Sequence, residues 1–539
     1  MFPSQFGFLP LQPAGMMKRS VLLLILFFTV VARADRPNIF IAISDDVSWP
    51  HASAYGSKMV STSAFDQVAE NGVLFHNAFC PAPGCSPSRA AFLTGRHIWM
   101  IEEAGTHASY FQTKYRTFPE QLEDAGYFIG STGKAWGPGN FEHNGRTQNP
   151  AGRNWVVRRG DYVSGFRRFM EDRPSDRPFC FWFGSHDAHR SYEKGSGLEN
   201  GMTLEQAEVP AFLPDHPDVR SDLLDYAFEV ERFDAHCREM LEIMESAGEL
   251  ENTLVIITSD NGMPFPRAKA NCYEFGIHMP LAVQWKSQIP GNRELTDLVD
   301  FTDLTSTIYE ATGVTPSEEN PPVGHSLLSD LKSDRTGQAD AQRTAVYVGR
   351  ERHSSSRFNS LGYPQRAIRT QDHLLILNLK PERWPAGTPQ KFSSASWKRD
   401  GTFEGQLGPL HGGYHDIDAC PTLTFLIDHR DHPDYSRFLD LAVAKRPTVE
   451  LYDIRSDPGC VINLAADPTN SGLVASLKAR LTEHLRQTGD ARMSNDGNVW
   501  ETYPRVSKLR WFAVPDWVEG SPQDVPKQPW LEARRPWAD

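Results

Sequence analysis

The chain has 539 residues, 40% of them hydrophobic and 23% charged, an ordinary globular composition in a chain too long for one core. Its 55 basic and 68 acidic side chains give a net charge of −13, which argues against a nucleic-acid partner. We therefore expect two domains and, for any anionic ligand, a local basic pocket on an acidic background.

The first 34 residues have the pattern of a secretory signal peptide. Two basic residues precede an apolar run over residues 21–31, and the small residues Ala32 and Ala34 fit a cleavage site. Residues 1–15, ahead of this pattern, are expected to be an over-extended start. The apolar run is too short to span a bilayer, so we expect a secreted or periplasmic protein without a membrane span.

Strands and helices alternate from residue 37 onward. Residues 37–43 form a short apolar run typical of a buried strand, and this run ends in Asp45 and Asp46. A helix around residues 65–70 and a second strand over residues 73–79 follow. Taken alone, the two adjacent carboxylates would indicate a solvated turn.

The next segment, residues 85–96, predicts a helix. Ser86 offers an N-cap, Pro87 suits the first turn and Gly95 ends the helix. Cys85 is therefore predicted just outside a helix N-terminus, where free backbone amides and the helix dipole favour an anion. The alternative is a buried structural cysteine, which is the usual environment of a lone thiol.

Three later strands are each followed by polar side chains. They are residues 127–132 followed by Lys134, residues 178–183 followed by His186 and His189, and residues 253–259 followed by Asp260 and Asn261. This alternation predicts an α/β fold with a large, mainly parallel sheet flanked by helices. Functional groups collect beyond the carboxyl ends of such strands, so we expect these side chains to join Asp45 and Asp46 in one site.

The chain beyond residue 324 turns polar and irregular before new elements begin. We predict an edge strand of the main sheet at residues 346–348, strands within residues 366–377 and 450–454, and a helix over residues 473–486. The resulting division has a catalytic domain over residues 35–365, a smaller α+β domain over residues 366–510, and a Trp/Pro-rich tail over residues 511–539.

Residues 85–96 carry a longer signature than a helix start requires. Cys85-x-Pro-Ser-Arg89 is followed by Leu-Thr-Gly-Arg. This order resembles the signature of the type I sulfatases of the alkaline-phosphatase-like superfamily. In that family a formylglycine-generating enzyme oxidises the cysteine to formylglycine. The resemblance covers roughly residues 35–483, and the segments 186–190 and 262–269 look most like the heparan N-sulfatase (sulfamidase) branch and its bacterial relatives.

The acidic strand ends suit a metal ion. Asp45, Asp46, Asp260 and Asn261 are hard oxygen donors without an adjacent histidine or cysteine, a set that favours calcium or magnesium over zinc. The resemblance implies one calcium ion at these residues, with the formylglycine made from Cys85 completing the metal's ligands.

The resemblance also implies a mechanism. One hydroxyl of the formylglycine hydrate attacks sulfur and the alcohol or amine leaves. The second hydroxyl then expels sulfate as the aldehyde reforms. The candidates for holding the sulfate oxygens are Arg89, Lys134, Lys269 and His189. His189 could also protonate the leaving group. Arg267 is the alternative to Lys269, and His186 is the alternative to His189.

One position departs from the family pattern. Many sulfatases have a histidine two residues after the lysine that Lys134 matches, and Trp136 stands there instead. The role of that histidine either moves to another one, with His97 and His107 nearby in sequence, or is lost.

Three functions are compatible with these observations. The first is a sulfatase that cleaves sulfate esters or N-sulfates of a sulfated carbohydrate. The second is a phosphatase or phosphodiesterase of the same superfamily, a group that uses Ser or Thr nucleophiles and usually two transition metals with histidine ligands. The third is a non-catalytic protein that binds sulfated glycans, which Trp136 suggests. We expect the first, because position 85 is a cysteine and the predicted metal ligands are all oxygens.

Overall fold

The computed structural model describes residue 7 and residues 36–156, 160–397, 403–494, 497–518 and 529–532. The basic and apolar parts of the predicted signal peptide lie outside the described residues. Within the described ranges, no helix is long and apolar enough to cross a membrane.

Eight strands form the main sheet. They are β1 (Asn38–Ser44), β2 (Val73–Phe79), β3 (Phe128–Gly133), β4 (Phe179–Gly184), β5 (Thr253–Ser259), β6 (His278–Gln284), β7 (Arg293–Leu295) and β8 (Val299–Asp300). Their spatial order is β3-β4-β1-β5-β6-β2-β7, and β8 also pairs with β2. β6 runs antiparallel to both neighbours, and the remaining pairs are parallel, which confirms the prediction of a mainly parallel sheet.

β1 and β5 lie in the middle of this sheet, and every residue of both strands is buried. Side chains alternate between the faces of a strand. In β1, Ile39, Ile41 and Ile43 accordingly join one hydrophobic cluster, and Phe40 and Ala42 join another. Helices cover both faces, so the apolar run of the sequence is consistent with a strand buried on both sides.

The α-helices number fourteen among the described residues. They are α1 (Ser63–Glu70), α2 (Cys85–Thr94), α3 (Phe118–Asp124), α4 (Tyr162–Asp172), α5 (Ser196–Glu199), α6 (Pro217–Ser246), α7 (Glu274–Ile277), α8 (Phe301–Thr312), α9 (Leu328–Lys332), α10 (Pro421–Asp428), α11 (Ser436–Val443), α12 (Ser471–Gln487), α13 (Val499–Thr502) and α14 (Pro529–Glu532). Along α6, Leu223, Val230, Cys237 and Met244 are buried at helical spacing, as expected for a core-facing stripe.

A second, antiparallel sheet lies in the C-terminal part of the chain. Its strands are β9 (Val346–Arg350), β10 (Gln365–Arg369), β11 (His373–Asn378) and β14 (Val449–Asp453), and β12 (Phe392–Trp397) pairs separately with β13 (Phe403–Leu407). The assignment of residues 346–348 to the main sheet is therefore wrong. A short apolar run predicts a strand but not its partner, and β9 forms its backbone hydrogen bonds with β10. The division into domains at residue 365 stays a prediction.

Buried ion pairs lie beside this second sheet. Arg366 contacts Glu351 at 2.8 Å and Asp490 at 2.6 Å, and Arg492 contacts Glu351 at 2.6 Å. All four side chains are at most 2% exposed. We call these four residues the arginine network. Each of its carboxylate oxygens accepts at least one hydrogen bond, so its acidic charges are fully compensated.

Candidate active site

The polar residues that follow β1 and β5 lie side by side. The two strands are parallel and paired in register to their last residues, so the chain leaves them at neighbouring positions. The backbone N–H of Asp46 donates to Asp260 Oδ1 at 3.1 Å, and Asn261 Nδ2 donates to Asp46 Oδ1 at 2.7 Å. Asp45 is buried with them. The structure therefore brings the four predicted metal ligands together.

Cys85 is the first residue of α2, which follows β2. The N-cap is Gly84 and not Ser86 as predicted, because the helix already begins at Cys85. The Ser86 hydroxyl instead accepts a hydrogen bond from the backbone N–H of Ala108. The Cys85 sulfur lies in a group with oxygens of Asp45 and Asp260, all within 4.8 Å of one another. Burial raises the pKa of the Cys85 thiol, which keeps it protonated at neutral pH.

Arg89 lies one turn further along α2 and is completely buried. Its Nε donates to Asp260 Oδ2 at 2.7 Å, and its Nη1 donates to the carbonyl oxygens of Lys134 and, at 3.1 Å, of Ala135. The guanidinium thus holds the carboxylate of one strand end against the backbone of another. In the structure Arg89 orients Asp260.

Two lysines add positive charge at the carboxylates. Lys134 Nζ lies 2.6 Å from Asp45 Oδ2. Lys269 Nζ lies 2.6 Å from Asp46 Oδ2 and 2.9 Å from Asp418 Oδ2. Burial opposes ionisation of Asp45, but nearby Lys134 holds its pKa well below the usual range. Burial raises the pKa of Asp46 to about 6, because Lys269 compensates only part of the lost hydration.

Arg267, the alternative to Lys269, occupies a different environment. It is 2% exposed, its Nη1 donates to the carbonyl oxygen of Leu441 at 2.8 Å, and its guanidinium lies 3.9 Å from the centre of the Tyr273 ring. These contacts make Arg267 a packing residue, and Lys269 is the basic side chain that faces the carboxylates.

His189 also belongs to this cluster. A ring nitrogen of His189 and one oxygen each from Asp46 and Asp418 lie within 4.8 Å of one another. Its Nδ1 is 2.6 Å from the carbonyl oxygen of Arg190, so Nδ1 donates its proton to that oxygen. His186, the alternative, contacts a tyrosine hydroxyl on α4 at 2.9 Å.

His107 lies beside residue 85. Its Nε2 lies 3.3 Å from the Cys85 sulfur, and burial lowers the pKa of His107 well below its usual range. Trp136 is buried, and its Nε1 donates to the carbonyl oxygen of Ser86 at 3.1 Å. His97 contacts His484 instead. Of the two histidines left open by the sequence, His107 is the one beside the cysteine.

Asp418 was missed by the sequence analysis. It lies in the segment between β13 and α10, far from the predicted strand ends, so the strand-end argument could not find it. Burial opposes its ionisation, but Lys269 and His189 hold the pKa of Asp418 well below the usual range. A carboxylate from the C-terminal part thus faces the cluster.

The four oxygen donors fit a hard cation. Asp45 Oδ1 and Asn261 Oδ1 are buried and have no hydrogen-bond partner among the described residues. Leaving a buried polar atom unpaired costs about 1–3 kcal/mol, and a cation between these oxygens would satisfy both. Calcium prefers carboxylate and amide oxygens, which are the atoms present here.

Comparison with known proteins gives consistent matches. A family model described as Sulfatase matches residues 37–314, more than half of the 539 residues. N-sulphoglucosamine sulphohydrolase of Homo sapiens is 29% identical over 503 residues, which cover 85% of this chain and 92% of that protein. N-acetylglucosamine-6-O-sulfatase of Bacteroides thetaiotaomicron is 25% identical over 450 residues, covering 63% and 78%.

Solved structures show the same fold. A protein in complex with its substrate, D-glucosamine-2-N,6-O-disulfate, has a TM-score of 0.58 at 18% identity, covering 85% of this chain and 99% of that one. Phosphonate monoester hydrolase of Agrobacterium radiobacter has a TM-score of 0.59 at 13% identity, covering 84% and 96%. At these identities the likeness shows the architecture alone.

Proposed function

Because this chain belongs to the sulfatase family and is a sulfuric ester hydrolase, we propose that it removes sulfate from a glycosaminoglycan-like carbohydrate, using formylglycine made from Cys85 and one calcium ion. The observation that carries the proposal is the meeting of Asp45, Asp46, Asp260 and Asn261 beside Cys85. The names of the relatives, which act on sulfated glucosamine derivatives, support an amino-sugar substrate with an N- or O-sulfate.

The metal part of the proposal rests on the donor set. Asp45, Asp46, Asp260 and Asn261 would hold the calcium ion. Bound there, calcium supplies a positive charge that favours the ionised form of an attacking hydroxyl. Lys134, Lys269 and Arg89 leave Asp45 Oδ1 unpaired among the described residues, and a bound cation would satisfy this oxygen.

The chain's own residues would supply the remaining chemistry. The hydrate of formylglycine at position 85 would supply the hydroxyl that attacks sulfur, and the substrate's alcohol or amine would leave. Lys134 and Lys269 hold buried positive charge where the sulfate oxygens gain negative charge in the transition state. His189 would give a proton to the departing oxygen or nitrogen from Nε2, since its Nδ1 is engaged by a carbonyl oxygen. His107 would orient the group at position 85.

Maturation and export complete the proposal. A formylglycine-generating enzyme would convert Cys85, and residues 1–34 would direct the protein to the periplasm or outside the cell. The other six cysteines are buried free thiols, so position 85 is distinguished by its neighbours and not by exposure.

The test is sulfate release together with the mass of the peptide containing residue 85. Wild-type protein from a host that makes formylglycine should release inorganic sulfate from sulfated glucosamines, D-glucosamine-2-N,6-O-disulfate among them, and should carry an aldehyde at position 85. Cys85→Ala should lose about 10³-fold or more of kcat, because the nucleophile is absent. Cys237→Ala, a control in the core of α6, should keep its turnover. Comparable turnover by Cys85→Ala would refute the proposed nucleophile.

A further inference from the structure

Asp418 is the accessible carboxylate of the site. Its side chain is 29% exposed, whereas those of Asp45, Asp46 and Asp260 are at most 1% exposed. Asp418 Oδ2 accepts a hydrogen bond from Lys269, and no hydrogen bond to Oδ1 is seen among the described residues. One oxygen is thus held by the site while the other is open to a ligand.

Asp418 and Cys85 belong to different groups of side chains within the site. The Cys85 sulfur groups with Asp45 and Asp260, whereas Asp418 groups with Asp46 and His189. His189 is the candidate proton donor to the leaving group. Asp418 therefore lies beside the candidate proton donor, where the carbohydrate would leave.

The segment that carries Asp418 is anchored two residues earlier. Asp416 is buried and accepts hydrogen bonds from Arg350 at 2.8 Å, Arg357 at 2.6 Å and the Ser356 hydroxyl at 2.8 Å. These charge-assisted bonds fix the backbone, so Asp418 is held in place before a ligand arrives. A carboxylate held in this way is suited to a hydrogen-bond donor at one position on the ligand.

We propose that Asp418 is a specificity residue that accepts a hydrogen bond from a hydroxyl or amine of the sugar that carries the sulfate. This inference rests on the proposed function. A carboxylate repels the sulfate group itself, so its charge favours binding only toward a hydrogen-bond donor on the ligand. Lys269 offsets part of the repulsion. The arrangement therefore selects a sulfated sugar over a free sulfate ion.

The test compares two ligands whose affinities should change in opposite directions when Asp418 is replaced. Titration calorimetry with calcium present would measure the Kd of D-glucosamine-2-N,6-O-disulfate and of inorganic sulfate for the inactive Cys85→Ala protein, alone and with Asp418→Asn. Loss of a charge-assisted hydrogen bond should weaken saccharide binding about tenfold or more. Inorganic sulfate should bind more tightly, because a nearby negative charge is removed.

A matched control is Asp431→Asn, whose side chain is 88% exposed on the same part of the chain, and it should change neither Kd. Asp418→Glu, which keeps the charge, should retain part of the saccharide affinity. Equal weakening of both ligands would show that Asp418 only positions Lys269, and this would overturn the proposal. Unchanged Kd values for both ligands in Asp418→Asn would also overturn it. The same holds if the Cys85→Ala protein binds the saccharide no more tightly than inorganic sulfate. Failure of the proposed function would instead appear as an absence of sulfate release by wild-type protein.

Discussion

The strand-end site and the arginine network both bury acidic and basic side chains together, and they use their carboxylates differently. In the arginine network every carboxylate oxygen accepts a hydrogen bond from a neighbour. At the carboxyl ends of β1 and β5, Asp45 Oδ1 and Asn261 Oδ1 are left without a partner among the described residues. Buried charge alone therefore does not identify a site. At this edge of the sheet the two unpaired oxygens belong to predicted metal ligands, and one cation would pair both.

We expect the largest loss of stability from a substitution in the arginine network. Arg366→Met should reduce the free energy of unfolding by about 3–5 kcal/mol, since it leaves Glu351 and Asp490 buried and uncompensated. Urea unfolding would measure this loss. Arg455→Met, which removes an ion pair whose arginine is 71% exposed, should cost at most about 1 kcal/mol. Similar losses in both variants would mean that the network contributes no more than a surface pair.

The next prediction distinguishes a catalytic role for Lys269 from a packing role for Arg267. Lys269→Ala should lower kcat about 10²–10³-fold, because a cation at the transferring sulfate is lost. Arg267→Met, two residues away, should lower the melting temperature through its lost contacts with Leu441 and Tyr273 but change kcat much less. Steady-state kinetics and thermal unfolding of both variants would measure the difference. The reverse pattern would assign the sulfate contact to Arg267.

The smallest effect concerns calcium. Calcium at about 100 times its Kd should stabilise the protein by about 2.7 kcal/mol, and a chelator should lower the melting temperature correspondingly. Asp46→Asn should reduce this response, because one charged ligand is lost. Arg366→Met should be less stable yet retain the response, since its cluster has no unpaired carboxylate oxygen. A melting temperature that does not respond to the chelator would contradict the metal assignment.

Sequence patterns predicted which strand ends meet at this edge of the sheet but not all of the side chains around them, and the roles of these residues stay predictions. The apolar runs in the sequence show where β1 and β5 end. The sequence alone therefore predicts that Asp45 and Asp260 lie at one edge of the sheet. His107 and Asp418 come from irregular segments, whose path depends on contacts distant in sequence. The partner of β9 was misassigned for the same reason, because strand propensity does not specify which edge a strand joins.

The parallel pairing of β1 with β5 has a consequence for how this chain can vary. Removing one residue from β1 would draw Asp45 and Asp46 back by about 3.3 Å and turn each of them toward the opposite face of the sheet. The charges of the site are thus aligned by backbone hydrogen bonds that carry no net charge themselves. Length changes in those two strands should be far more damaging to this protein than length changes in its surface loops.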